Sequence, residues 1–225
     1  GAGADFRKFI ANSAGGTDRR LLADAYNRLA DSQYYTSDFA GAAENYGLAL
    51  EADPASGDYP MFQQGLMKGL RRDYAGKIET LSAMTSRFPA SALVPSALLE
   101  IAESYGESGA ADRAIETYTA LVGRYPSTAQ GRQGQLLLAI TYLNEGNRRQ
   151  AMEHYKRVIT SYPTSDEARV AADDLKQLYA DEGRVGEYVE FINNVPDAPR
   201  PETVELARLT LLSAEKAMEQ GREAD

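Results

Sequence analysis

Apolar positions along this chain recur every three or four residues, in runs of a dozen or so broken by short polar turns. Leu98, Ile101, Ala102 and Tyr105 stand at i, i+3, i+4 and i+7, the spacing that puts four side chains on one face of a helix. No run has the look of a strand. The pattern predicts twelve helices, near residues 5–12, 19–36, 38–52, 58–71, 73–88, 92–106, 110–125, 128–144, 147–162, 165–181, 184–193 and 201–220. Gly15-Gly16 before Thr17-Asp18 reads as a turn and helix cap. Thr164 with Glu167 reads as a capping box opening the tenth helix.

The pattern itself repeats. Asp53-Pro54, Phe88-Pro89, Tyr125-Pro126 and Tyr162-Pro163 follow one another at 35, 37 and 37 residues. Each closes a unit with a small residue in its first helix: Ala30, Gly65, Ala102 and Ala139. Ala42, Ala114 and Ala151 sit early in three of the second helices, and Tyr46, Tyr118 and Tyr155 follow four residues later. Small residues let two helices of a hairpin approach closely, and the aromatics fill the space between neighbouring hairpins. Proline after the second helix cannot continue it and fixes the turn into the next unit. A period in the mid-thirties is that of stacked helical hairpins, each burying its apolar face on the next.

These units resemble tetratricopeptide repeats, over roughly residues 19 to 195. The variant is the one ending in Tyr-Pro or Phe-Pro and a small polar stretch, as in Phe88-Pro89-Ala90-Ser91, Tyr125-Pro126-Ser127-Thr128 and Tyr162-Pro163-Thr164-Ser165. That variant is common in bacterial cell-envelope proteins. Leu22 to Asp31, Tyr59 to Gln63 with Asp73 to Lys77, and Gly183 to Tyr188 are similar to segments of the long repeat proteins of Bacteroidetes-type bacteria. The resemblance implies a cell-envelope or periplasmic location, with the cytoplasm as the alternative.

The expected fold is an all-α superhelix, a solenoid of about six hairpins spanning residues 1–225. Its units fall near 23–57, 58–94, 95–131, 132–168 and 169–200, with partial units at 1–18 and 201–225. Residues 5–12 read as a second helix without its first, and Gly221 falls where a hairpin turn belongs. The chain is therefore expected to be a segment of a longer array, or to end in a capping helix over 201–220.

Composition narrows the function by exclusion. Net charge is −9, from 33 acidic and 24 basic residues. No basic run offers a footprint for nucleic acid or an anionic membrane. Arg71-Arg72 and Arg148-Arg149 read as cations near helix ends, favoured by the helix dipole. There is no cysteine, so thiolate chemistry and disulfides are impossible. His154, the only histidine, reads as a surface or groove-edge residue without catalytic partners. No catalytic, cofactor or metal site is expected. The expectation is a non-enzymatic scaffold or adaptor that takes a protein or peptide partner into a concave groove lined by the first helices. Asn27, Asp31, Tyr34, Tyr35, Tyr59, Phe62 and Leu66 are the candidate contacts, aromatics beside carboxylates; packing between units is the competing role for these aromatics. A structural or self-associating segment of a larger envelope protein, or a regulatory module of an enzyme lying elsewhere, are the alternative functions.

Overall fold

The computed structural model describes residues 2–13 and 18–219 and is helical throughout, with twelve α-helices among them. These are α1 (Ala2–Asn12), α2 (Arg19–Tyr35), α3 (Phe39–Ala52), α4 (Asp58–Leu70), α5 (Tyr74–Arg87) and α6 (Val94–Glu107). They continue as α7 (Ala111–Arg124), α8 (Ala129–Asn144), α9 (Arg148–Ser161), α10 (Asp166–Asp181), α11 (Val185–Asn193) and α12 (Thr203–Glu219). Every expected helix is present, with ends within three residues of those expected. A short 3-10 turn, Pro54–Ser56, joins α3 to α4. The chain forms two compact units, Gly1–Thr117 and Tyr118–Asp225, and the division falls within α7. Gly15, Gly16, Thr17 and Gly221 lie outside the described residues.

One turn recurs five times. Ser37, Arg72, Gly109, Gly146 and Gly183 all have positive φ, between 58° and 78°, and they follow one another at the repeat period. Each sits just past a first helix, and the next residue's amide reaches back five positions: Asp38 to Gln33, Asp73 to Lys68, Ala110 to Tyr105, Asn147 to Tyr142 and Arg184 to Tyr179, at 2.8–3.0 Å. This is the left-handed helix ending that satisfies the last carbonyls. The residue after it then caps the second helix: Asp38 accepts from the amide of Gly41, Asp73 from that of Gly76, and Asn147 from that of Gln150. Two glycine-free turns, at Ser37 and Arg72, hold the same conformation against the steric preference of L-residues.

Two sequence readings at helix ends are corrected. The cap of α10 is Ser165, whose hydroxyl accepts from the amide of Ala168, rather than Thr164. Arg148 and Arg149 open α9, the end where the dipole disfavours cations, so ion pairs compensate them: Arg148 with Asp181 at 2.9 Å and Arg149 with Glu153 at 3.9 Å.

The repeat residues form the cores. In the first unit Ala30, Ala42, Tyr46 and Met67 pack together. A second cluster there holds Met61, Phe62, Leu81, Met84, Ala97 and Ile101, with Leu66 partly buried against both clusters. A Cβ added to Gly65 would lie 2.6 Å from Leu81 Cδ2, so the small position of the second repeat can be only glycine without displacing a fully buried leucine. In the second unit Tyr155, Val158, Ile159, Leu175 and Tyr188 centre the core. The prolines serve a further purpose. Pro126 presents its carbonyl to the Tyr162 hydroxyl, 2.8 Å away and 36 residues on. Phe88 has no hydroxyl, and its neighbour Arg87 reaches the corresponding Pro54 carbonyl at 2.6 Å.

Candidate partner-binding groove

Within the first unit, the C-terminal halves of α4 and α6, the last residues of α2 and the start of α5 border an open cavity of about 360 Å³. Its walls combine apolar and acidic side chains. Tyr34, Leu66, Met67 and Leu70 supply the apolar surface, and Glu100, Glu103 and Glu107 stand at i, i+3 and i+7 on one face of α6. Leu70 is 55% exposed and Tyr34 39%, so both keep apolar surface open to an incoming group.

Lys77 is the cation of this cavity. It occupies the place in α5 that alanine holds at 42, 114 and 151, and it is almost wholly buried. Room for its stem comes from Gly69, where a Cβ would lie 2.9 Å from Lys77 Cδ. Its ammonium ends 2.5 Å from Glu100. Glu103 has no hydrogen-bond donor among the described residues; burial and then the charge of Glu100 raise its pKa, with Lys77 opposing. Glu107 faces the Tyr74 phenol, and its carboxylate, together with partial burial, raises the pKa of that phenol.

The seven residues expected from sequence fall into two groups. Tyr34 lines the cavity and packs edge-on against Tyr35 and Phe39; Tyr35, 84% exposed, stands outside it; Leu66 lines it. Asn27, Asp31, Tyr59 and Phe62 belong to the packing. Asp31 accepts hydroxyl hydrogen bonds from Tyr46 at 2.6 Å and Tyr59 at 2.7 Å. Burial and this carboxylate push the Tyr59 phenol up to about 12. Phe62 sits in the core beside Met61 and Leu81. The carbonyl oxygen of the Asn27 side chain is buried without a partner.

His154 is corrected from a surface or groove-edge residue to a buried one. Gln135 donates to its Nδ1 at 2.7 Å, and its ring stacks on Tyr142 with centroids 5.2 Å apart. Among the described residues no three His, Cys, Asp or Glu side chains are placed so that they could hold a metal ion, and no helix is long and apolar enough to cross a membrane.

Two stretches of the chain, residues 96–128 and 133–165, match the family model for the tetratricopeptide repeat. The chain carries tetratricopeptide repeats. No curated protein matches it in sequence. Solved structures show the same fold, an all-α superhelix of tetratricopeptide hairpins. MamA aligns at 18% identity over 90% of this chain and 97% of its own, with a TM-score of 0.60. YrrB, described as "a TPR protein with an unusual peptide-binding site", aligns at 13% identity over 95% of this chain and 97% of its own, TM-score 0.59. A tetratricopeptide repeat protein from Parabacteroides merdae aligns at 14% identity over 89% of this chain and 74% of its own, TM-score 0.61.

Glu100, Glu107, Tyr74 and Lys77 were not among the sequence candidates. The signal for Lys77 is present in the repeat alignment: a lysine at the small-residue position of the repeat unit, faced across the hairpin by Gly69.

Proposed function

We propose that this tetratricopeptide repeat protein is a non-enzymatic scaffold that binds a protein or peptide segment on the first-helix face of its first unit. The observation that carries this reading is the cavity between α2, α4 and α6, where exposed Tyr34 and Leu70 adjoin three carboxylates. A preformed site of mixed apolar and acidic surface binds at low ordering cost. The peptide-binding site ascribed to YrrB supports the same reading by analogy of fold. A cell-envelope location belongs to this proposal and rests on the resemblance of the Tyr-Pro endings. The test is affinity capture from native cells with wild type and with Leu70→Glu, whose side chain lies at the surface. A partner lost on Leu70→Glu, at unchanged melting temperature, supports the groove; a partner retained overturns it.

A second reading is self-association through α12. Val204, Leu211 and Met218 recur every seventh residue on that helix and are 62–80% exposed. Sedimentation over a range of concentrations decides it, a constant monomer mass being the adverse result.

A further inference from the structure

We propose that the groove of the first unit selects a basic side chain, seating a lysine or arginine of the partner's segment with its aliphatic stem along Leu66, Leu70 and Tyr34 and its charge at Glu103. This rests on the groove reading above and names the chemistry of its occupant.

Charge complementarity carries the choice. Three carboxylates of α6 line the cavity against one ammonium, and that ammonium is committed: Lys77 is pinned to Glu100 at 2.5 Å and buried behind it. Glu107 lies beside the Tyr74 phenol. Glu103, between them, is partly buried and has no donor of its own among the described residues. A carboxylate withdrawn from water without a donor is a cost that an incoming cation relieves. The apolar walls fit the rest of such a side chain, since lysine and arginine carry long aliphatic stems that pack on apolar surface while the head stays polar. An acidic segment meets repulsion from the same three groups, and a purely apolar one leaves Glu103 unpaired.

The experiment pans a display library of random linear dodecapeptides against the full chain. The strongest enriched peptide is then synthesised and titrated against wild type, Glu103→Gln and, as a control for the same charge change away from the cavity, exposed Glu79→Gln. The expected result is enrichment of a lysine or arginine beside aliphatic residues. Affinity should fall about tenfold or more in Glu103→Gln, as for loss of a charge-assisted hydrogen bond. It should change little in Glu79→Gln, at equal melting temperatures. Enriched peptides without a basic residue that still lose binding on Leu70→Glu overturn the selection of a cation and leave the groove reading standing. Basic peptides that bind Glu103→Gln and Glu79→Gln alike are attracted by the overall negative charge, which overturns the proposal. Peptides indifferent to Leu70→Glu, or no enrichment at all, overturn both.

Discussion

The ammonium of Lys77 lies 2.5 Å from a carboxylate oxygen of Glu100, at the place in the repeat where a methyl group is the rule. A hairpin built to hold alanine there holds a lysine because the facing helix has given up its side chain at Gly69. The second repeat thereby converts a packing position into a charged one, and the pair ties α5 to α6.

Lys77 and Gly69 should therefore be energetically coupled. Lys77→Ala leaves Glu100 facing Glu103 and Glu107 and hollows the hairpin, for a loss of about 1–3 kcal/mol; the loss stays below that of a sealed pair because the Glu100 side chain is 30% exposed. Gly69→Ala in the wild type meets Lys77 Cδ at 2.9 Å, which offsets the helical gain from alanine. In the Lys77→Ala background that gain, up to about 1 kcal/mol, is realised. Urea denaturation of the four proteins measures the coupling, and strictly additive changes refute it.

The five left-handed turns give a prediction of opposite signs. Gly146→Ala places a Cβ in open space, with no heavy atom within 4 Å, so its cost is that of the backbone conformation alone, about 1–2 kcal/mol. Arg72→Gly removes that strain from the second repeat. It should stabilise by less, about 0.5 kcal/mol, because glycine also frees the unfolded chain. Thermal melts of the two variants read both signs.

Asp31 should behave as a structural residue. It accepts from the fully buried Tyr46 and from Tyr59, so Tyr46→Phe removes one of two bonds and costs about 1 kcal/mol. Asp31→Ala strands both hydroxyls and costs about 2–4 kcal/mol by the same accounting. Equal melting temperatures for Asp31→Ala and wild type contradict this placement.

Local regularity made the fold legible. The alanines, tyrosines and prolines recur because each hairpin solves the same packing problem, and period alone placed every helix. The groove was read less fully. Tyr34 and Leu66 line the cavity as their helical phase implies, but Asp31 and Tyr59 share that phase and turn to each other instead. Which of two aromatics on one face stays open depends on the neighbouring hairpin, and a single helix's periodicity carries no information about that. His154 was misplaced for a related reason. Its partner Gln135 occupies the position that Leu98 holds one repeat earlier, so a polar residue at a core position was the available sign of a buried polar pair.

That pair should make stability depend on pH in a defined window. Gln135 donates to Nδ1, which assigns the ring proton to Nε2 in the neutral imidazole. Burial, and then Arg157, hold the His154 pKa below its ordinary value of 6.5, with Glu153 pulling the other way. Because the folded-state pKa is depressed, the unfolded chain binds the extra proton first. Stability from this group is thus complete above pH 6.5 and is lost as pH falls from there toward the folded-state pKa. His154→Gln removes this slope while keeping the carboxylates common to both proteins, so their difference isolates the imidazole; Glu103, whose raised pKa acts in the opposite sense, cancels in it. Denaturant midpoints between pH 7.5 and pH 5 should converge for the two proteins as the pH falls, since protonation penalises only the wild type. Parallel curves over that range refute the buried neutral histidine.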